Sequence, residues 1–345
     1  MMLFSKKQLA PIHWISILAI LTLLWNGMVF TINFAIDPFG NRDWIVEKKY
    51  KPIVHERSEK YNTIFNQNNI NKYDCVILGS SRVMSIKPSL NSATKECYNF
   101  GVHVANNPEK LFILQEWLKR SPLKKVYLGN ELYNVHEHTR PLYLDPHSFT
   151  SGSEGNYLSV STLTISLKTL QNSLKHQPQS FFDEDGTLNY FLDEQSIKEK
   201  TFNHSYDHFK KISQEAIEGI YIQNPFIYET KALEPLRQIK ILCDQHHIKL
   251  YPFITPTFYE AQLMMKSHPS LDTASQKFRN DLISIYGEVY DFDTNTSENR
   301  DPTNFYDPFH YRPQLGNTII DRLENKNTYG THYTAQKREN SFYPQ

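Results

Sequence analysis

The chain contains 345 residues, which is enough for one large domain or two ordinary ones. Lys and Arg together number 37, as do Asp and Glu, so the formal net charge is zero and no basic excess indicates nucleic-acid binding. With 39% hydrophobic residues, 12 glycines and 18 prolines, the composition excludes a collagen-like, a disordered and a multi-span membrane protein, and it indicates a globular chain.

The amino end carries a predicted membrane anchor. Residues 8–36 contain no charged side chain and are mostly apolar, which is long enough to cross a hydrocarbon core of about 30 Å. The stretch lacks the short apolar core and small-residue cleavage site of a cleaved signal peptide, so we predict an uncleaved signal anchor. Lys6 and Lys7, on a short tail at 1–7, predict a cytoplasmic amino end, although Arg42 and the lysines after it reduce the charge contrast.

Residues 37–70 are predicted to be a linker that leads into the domain. After this linker, short apolar runs alternate with amphipathic stretches. The runs are rich in β-formers and predict strands at Cys75–Leu78, Cys97–Phe100, Lys125–Leu128, Leu250–Ile254 and Val289–Phe292. A helix is predicted from Asn107, taken as its N-cap, with Pro108 at the first helical position. The alternation predicts an α/β domain over 71–325, with a parallel sheet covered by helices on both faces.

Two segments depart from this alternation. Residues 141–224 are polar, with a turn at Asp183 to Gly186, and are predicted to form an insertion or lid. Residues 326–345 contain almost no aliphatic side chains and are predicted to be a peripheral tail.

The three cysteines are too few for a disulfide scaffold, and none has the spacing of a zinc site. Cys75 and Cys97 stand at two predicted strands that could lie side by side. A disulfide in an oxidising compartment is one interpretation, and buried free thiols are the more common one. We expect neither a metal nor another cofactor.

A glycine and two serines, Gly79-Ser80-Ser81, follow the first predicted strand. The carboxyl ends of parallel strands form the ligand crevice, so a serine there would face a substrate, and a helix starting there would favour an oxyanion. The alternative is that one serine only caps that helix. Arg82 would bind an acidic group of the substrate or form a structural ion pair.

Asp307 and His310 form a second candidate pair near the end of the predicted domain. Three residues apart, they would project to the same side of a helical turn. A carboxylate can hold the imidazole tautomer while the other ring nitrogen takes a proton from a serine. The alternative is an N-cap aspartate next to a surface histidine.

In this order, the two segments resemble the SGNH/GDSL hydrolase superfamily over residues 70–325. Within it they are most similar to bacterial envelope proteins of the alginate O-acetyltransferase and teichoic-acid D-alanyl-transfer type, which place one anchor ahead of such a domain. The resemblance implies a three-layer, flavodoxin-like α/β/α sandwich. It also implies Ser81 as nucleophile, with Ser80 where the family often has Asp, His310 as general base and Asp307 as its orienting acid.

The resemblance also implies an oxyanion hole. Asn99-Phe100-Gly101 is similar to the second family block, so the amides of Ser81 and Gly101 would hold the oxyanion. The third block, Gly-x-Asn-Asp, would follow the strand at 125–128, where Asn130 stands one position early. Loss of one oxyanion donor costs about 10²- to 10³-fold in rate.

Two functions follow as hypotheses. The first is serine-dependent acyl transfer or ester hydrolysis on an envelope polysaccharide, by a bacterial inner-membrane protein whose domain faces the periplasm or cell exterior. The second is a non-catalytic scaffold of the same fold, which would partner a membrane-bound acyltransferase or a polysaccharide assembly complex. A distance within hydrogen-bond reach between Ser81 and His310 would favour catalysis, whereas a separation beyond about 6 Å would favour the scaffold.

Overall fold

The computed structural model describes residues 9–40, 42, 44–47, 50–51, 56–66, 69–87, 96–137, 156–177, 182–188, 205–222 and 226–335. The chain divides into two compact units, the first formed by 1–59 with 151–181 and the second by 60–150 with 182–345. Predictions that concern 1–7, 138–155, 189–204 or 336–345 lie outside the described residues.

The elements alternate in the way the sequence predicts. The α-helices are α1 Leu9–Ile36, α2 Glu56–Tyr61, α3 Asn107–Leu118, α4 Val160–Leu174, α5 Tyr206–Ile217, α6 Glu234–Gln245, α7 Tyr259–Ser267, α8 Pro269–Tyr286, α9 Ser297–Arg300 and α10 Pro313–Leu323. The strands are β1 Tyr73–Leu78, β2 Glu96–Asn99, β3 Lys125–Asn130, β4 Lys249–Ile254, β5 Glu288–Asp291 and β6 Thr331–Thr334.

The first unit is built on α1, whose segment 13–36 is long and apolar enough to span a membrane. Its last turns contact α4. There the Asn33 Nδ2 group donates to the backbone carbonyls of Tyr157 and Ser159. This unit therefore joins the predicted anchor to a helix from the predicted insertion.

The second unit contains one six-stranded sheet in the order β2-β1-β3-β4-β5-β6. The first five strands are parallel, and β6 is antiparallel to β5. All five predicted strands are present, and the prediction of an α/β fold with a largely parallel sheet is confirmed.

Helices cover both faces of this sheet. Val76 and Leu78 of β1 belong to a core cluster with buried residues of α3, α6 and α8. Cys75 and Ile77 alternate with them and belong to a second cluster with α10. Because both faces are covered, β1 is buried along its whole length.

Three local features differ from the sequence predictions. The N-cap of α3 is Asn106 rather than Asn107, and it forms a capping box with Glu109. Tyr61, Ile64 and Phe65, within the predicted linker, are buried in the core of the second unit. The chain after Leu323 also returns to the sheet as β6, whose four residues are Thr, His, Tyr and Thr.

A disulfide joins β1 to β2. Cys75 and Cys97 are register partners, with Cα atoms 4.4 Å apart. Of the two alternatives, a disulfide or two buried free thiols, the structure has the disulfide. Cys243 is a buried free thiol.

Candidate active site

The strand order places a crevice at the carboxyl ends of β1 and β3. Chain order reverses between these neighbouring strands, and ligands of open α/β sheets bind at such a switch point. A cavity of about 470 Å³ opens there. It is lined by Ser80, Ser81, Arg82, Val104, Glu131, Tyr133, Asn134, His136, Gly219, Ile220, Tyr221, Phe309 and His310.

A tight turn presents the two serines directly after β1. Residues 81–83 form a single 3₁₀ turn, and Ser80 caps it by accepting a hydrogen bond from the Arg82 N–H. Ser81 is the first residue of this turn, where backbone N–H groups have no acceptor inside the helix. Ser81 is thus a lining residue of the cavity and the residue whose N–H begins the turn.

Three glycines make room for this turn. An added Cβ on Gly79, Gly101 or Gly129 would lie within 3 Å of the Val83 side chain. Val83, which is fully buried, thus fits into a notch at the ends of neighbouring strands. The glycines fix the depth at which the Ser81 turn sits.

Asn99 holds the same turn from its other side. Its Nδ2 group donates to the carbonyls of Val83 and Ile86 at 2.7 and 2.9 Å. Its Oδ1 accepts from the Gly101 N–H at 2.9 Å. The second predicted block therefore has a clear structural use, which is to clamp the serine turn.

Ser81, His310 and Asp307 form a continuous hydrogen-bonded line. Ser81 Oγ lies 2.8 Å from His310 Nε2, although 229 positions separate the two residues. His310 Nδ1 lies 2.7 Å from Asp307 Oδ2. With the ring proton on Nδ1, Nε2 is free to accept the Ser81 hydrogen. The structure thus brings together the three residues that the sequence predicted as a triad.

The Asp307 carboxylate is fixed by its own local backbone. Its Oδ1 accepts from the N–H groups of Phe309 and His310 at 2.8 and 3.0 Å. Burial alone would raise the pKa of Asp307, but the hydrogen bond and charge of His310, together with these amides, outweigh it and lower the pKa below its ordinary value. Asp307 therefore stays ionised and orients the imidazole.

Ser80 faces away from this line and bonds with Glu131. The Ser80 hydroxyl donates to Glu131 Oε1 at 2.7 Å, and Asn134 Nδ2 donates to Glu131 Oε2 at 3.3 Å. Glu131 is 3% exposed. Ser80 thus ties the serine turn to the segment after β3.

Arg82 contacts aromatic side chains at the crevice wall. Its guanidinium carbon lies 4.6 Å from the centroid of the Phe309 ring. Burial raises the pKa of Tyr221 to about 12 against the opposing charge of Arg82, to which Tyr221 is also hydrogen-bonded. Burial also raises the pKa of Asp293 to about 6, again opposed by Arg82. Arg82 contributes both positive charge and packing here.

Two predicted oxyanion donors differ from expectation. The Gly101 N–H is bonded to Asn99, and its carbonyl accepts from the buried Lys60 ammonium at 2.6 Å. Asn130 is buried and donates to the carbonyls of Leu128 and Phe253. Both side-chain donors of Asn130 are thus used by the sheet, because the residue is the last position of β3 rather than part of the loop after it.

Sequence reasoning missed Glu131, Asn134 and Tyr221 in the cavity wall. Glu131 and Asn134 could have been predicted as lining residues, because they follow β3 at the same edge of the sheet as Ser81. Tyr221 lies in a π-helical turn after α5, and no sequence signal connects that segment with the crevice.

Among the described residues, no group of three or more His, Cys, Asp or Glu side chains is arranged to hold a metal ion. No protein-family model matches the chain, and no curated protein matches it significantly.

Proposed function

We propose that this protein is a membrane-anchored serine acyltransferase or esterase of the SGNH type, with Ser81 as nucleophile, His310 as general base and acid, and Asp307 as the residue that orients His310. The observation that carries this proposal is the line of contacts from Ser81 Oγ through His310 to Asp307, at 2.8 and 2.7 Å. It opens into a cavity large enough for an acyl group and part of its carrier.

The proposed reaction has two steps. His310 Nε2 takes the Ser81 proton while Oγ attacks the acyl carbonyl carbon, and His310 then protonates the leaving alkoxide as its bond to the acyl carbon breaks. In the second step His310 takes a proton from a sugar hydroxyl or from water. The new oxygen attacks the acyl-serine ester, and Ser81 leaves with the proton from His310.

The oxyanion is assigned to the Ser81 N–H and the Asn134 side chain. The Ser81 amide begins the 3₁₀ turn, and Asn134 lines the cavity with an amide whose bond to Glu131 is long at 3.3 Å. The family pattern places an asparagine at position 131, where this chain has Glu131, and Asn134 lies three residues further on. Gly101 and Asn130 support the turn and the sheet instead.

The proposed substrate is an envelope polysaccharide outside the cytoplasm. The disulfide between Cys75 and Cys97 supports an oxidising compartment, since glutathione and thioredoxin keep cytoplasmic thiols reduced. The apolar helix α1 supports anchoring of the domain in a bacterial inner membrane, with that domain facing the periplasm or exterior.

A second candidate function is a non-catalytic scaffold for a membrane-bound acyltransferase or a polysaccharide assembly complex. The observation that favours it is the engagement of the Gly101 and Asn130 donors inside the fold. A protein of this fold that has lost catalysis does not require free oxyanion donors. The hydrogen bond between Ser81 and His310 weighs against the scaffold.

Labelling with a serine-directed phosphonate distinguishes the two functions. The full chain in detergent should be labelled at Ser81, because His310 activates that hydroxyl, whereas the Ser80 hydroxyl is bonded to Glu131. Ser81→Ala should abolish labelling, and Ser80→Ala, a matched control on the adjacent residue, should retain it at a reduced rate. Labelling that survives in Ser81→Ala and vanishes in Ser80→Ala would assign the nucleophile to Ser80. Folded wild-type protein that stays unlabelled would favour the scaffold.

A further inference from the structure

Helix α4 of the first unit exposes an apolar stripe, although Leu170 packs against the core cluster of Ile36, Val46 and Tyr50. Its buried face is formed by the small or polar residues Thr162, Ser166, Thr169 and Asn172. The apolar residues Val160, Leu167 and Leu174 are 56%, 51% and 75% exposed. Spacings of seven residues place these three side chains on one stripe of the helix. A soluble helix buries its apolar stripe, so this stripe requires an apolar neighbour.

The polar face of α4 is bound to the end of α1. Asn33, fully buried in a largely apolar helix, donates to the carbonyls of Tyr157 and Ser159 just before α4. Ser166 of α4 donates its hydroxyl to Asn33 Oδ1 at 2.9 Å. Small and hydroxyl-bearing residues with interhelical hydrogen bonds are the means by which helices associate in lipid. The contact between α4 and α1 therefore resembles a contact between helices in a membrane, and it leaves the apolar stripe on the outer side of α4.

The apolar stripe continues the exposed surface of α1. Leu18, Leu21 and Leu24 are more than half exposed on a helix that is long enough to span a bilayer. Because α4 packs on the last turns of that same helix, hydrocarbon around α1 would extend to the stripe.

Aromatic and cationic side chains mark the membrane interface at this level. Trp44 is 68% exposed, and its ring lies 5.6 Å from that of Phe34. The Arg42 guanidinium lies 3.8 Å above the Phe34 ring, and the Tyr157 ring lies 5.7 Å from the Phe34 ring. Trp and Tyr collect at the headgroup level, and Arg extends its charge toward water there.

The length of α4 fits a helix that lies in the interface. Its 15 residues extend over roughly 22 Å at 1.5 Å per residue, which is less than the hydrocarbon thickness of about 30 Å. Lys168 and Lys175 are exposed beside the stripe, where ammonium groups can meet lipid phosphates.

We propose that α4 lies in the membrane interface, with Val160, Leu167 and Leu174 among the acyl chains of the leaflet in which α1 ends. The protein would then contact the bilayer through two helices rather than one. This inference rests on α1 spanning the membrane and is independent of the catalytic proposal.

Spin labels on the full chain in lipid nanodiscs test the inference. Single cysteines are introduced in a Cys243→Ala background by Leu167→Cys and Leu174→Cys on the stripe. Lys168→Cys serves as a matched control, since Lys168 is exposed and lies about 100° around α4 from Leu167, and Leu21→Cys is the lipid reference in α1. Accessibility to oxygen and to a water-soluble nickel chelate is then measured at each label.

Labels at 167 and 174 should resemble the label at 21, with high oxygen and low nickel accessibility, while the label at 168 should be accessible to nickel. Nickel accessibility at 167 and 174 equal to that at 168 would overturn the inference. So would protection from both reagents, because a protein surface or a second copy would then cover the stripe. A water-exposed label at 21 would overturn the inference together with the anchor, without bearing on Ser81 labelling.

Discussion

The Asp307 side chain gives the triad its direction. Replacing this aspartate by asparagine would let the imidazole adopt the wrong tautomer, with its proton on Nε2 facing Ser81. We expect Asp307→Asn to lower the acylation rate by about 10³- to 10⁴-fold. The matched control is Asp301→Asn, which alters an exposed carboxylate that caps a nearby 3₁₀ turn and should leave acylation unchanged. Equal rates for the two variants would contradict the role of Asp307.

The low pKa of Asp307 also sets the pH at which this arrangement is lost. A carboxylate with a lowered folded-state pKa stabilises the fold above its ordinary pKa of about 3.9 and loses that contribution as the pH falls through the folded value. The thermal midpoint of wild type should therefore exceed that of Asp307→Asn near pH 6. This difference in thermal midpoint should decrease as the pH falls below about 3.9.

Asn134 and Asn130 should respond to truncation in opposite ways. Asn134→Ala removes the proposed oxyanion donor and should slow acylation by about 10²- to 10³-fold, with a smaller loss of stability than Asn130→Ala because it breaks only one long hydrogen bond, to Glu131. Asn130→Ala breaks two buried hydrogen bonds to the sheet and should lower stability by about 1–3 kcal/mol. Acylation rate per folded molecule and thermal midpoint, measured on both variants, separate the roles. A slow, destabilised Asn130→Ala beside an unaffected Asn134→Ala would reverse the assignment.

The position of the Ser81 turn depends on the notch that receives Val83. Gly129→Ala adds a methyl group inside the space of Val83 and should destabilise the protein by about 1–3 kcal/mol while slowing acylation. Val83→Ala frees that space, so the double variant should be more stable than the sum of the two single changes predicts, by about 0.5–3 kcal/mol. Gly27→Ala, whose added Cβ would meet no atom within 4 Å and which lies outside the cavity lining, is the control. Additive effects would show that Val83 and Gly129 do not share this space.

The sequence predicted the strands well and their surroundings less well. Strands such as β1 are recognisable because burial on both faces demands a continuous apolar run. β6 could not be predicted, because an edge strand that pairs with one neighbour tolerates the polar sequence Thr331 to Thr334. The same limit applies to the disulfide, since the register between β1 and β2 is set by packing and not by the spacing of Cys75 and Cys97.

The candidate site was predictable where local motifs carry it. Gly79-Ser80-Ser81 and Asp307 with His310 have a recognisable order and spacing, and they meet in the structure. Gly101 and Asn130 were given donor roles that depend on where one amide points. A difference of one residue at the end of β3 decides whether an asparagine serves the sheet or the cavity, and local sequence does not determine it.

The disulfide and the apolar helix together predict the compartment in which the domain lies. In intact cells, Cys75 and Cys97 should resist alkylation until a reductant is added, because a domain outside the cytoplasm keeps the disulfide oxidised. Cys243 is buried and should react only after denaturation, which provides an internal control. Alkylation of all three cysteines in denatured, unreduced samples would contradict the proposed orientation.

Pre-steady-state hydrolysis of a chromogenic acetyl ester measures whether Ser81 forms an acyl-enzyme. The full-length wild-type protein should release a burst of alcohol approaching one equivalent per folded molecule. Peptide mass mapping of the quenched reaction should place the acetyl group on Ser81, and Ser81→Ala should show neither burst nor acetylated peptide. A folded wild-type protein with its disulfide intact, but without burst or acetyl-Ser81, would contradict the claim and favour the scaffold.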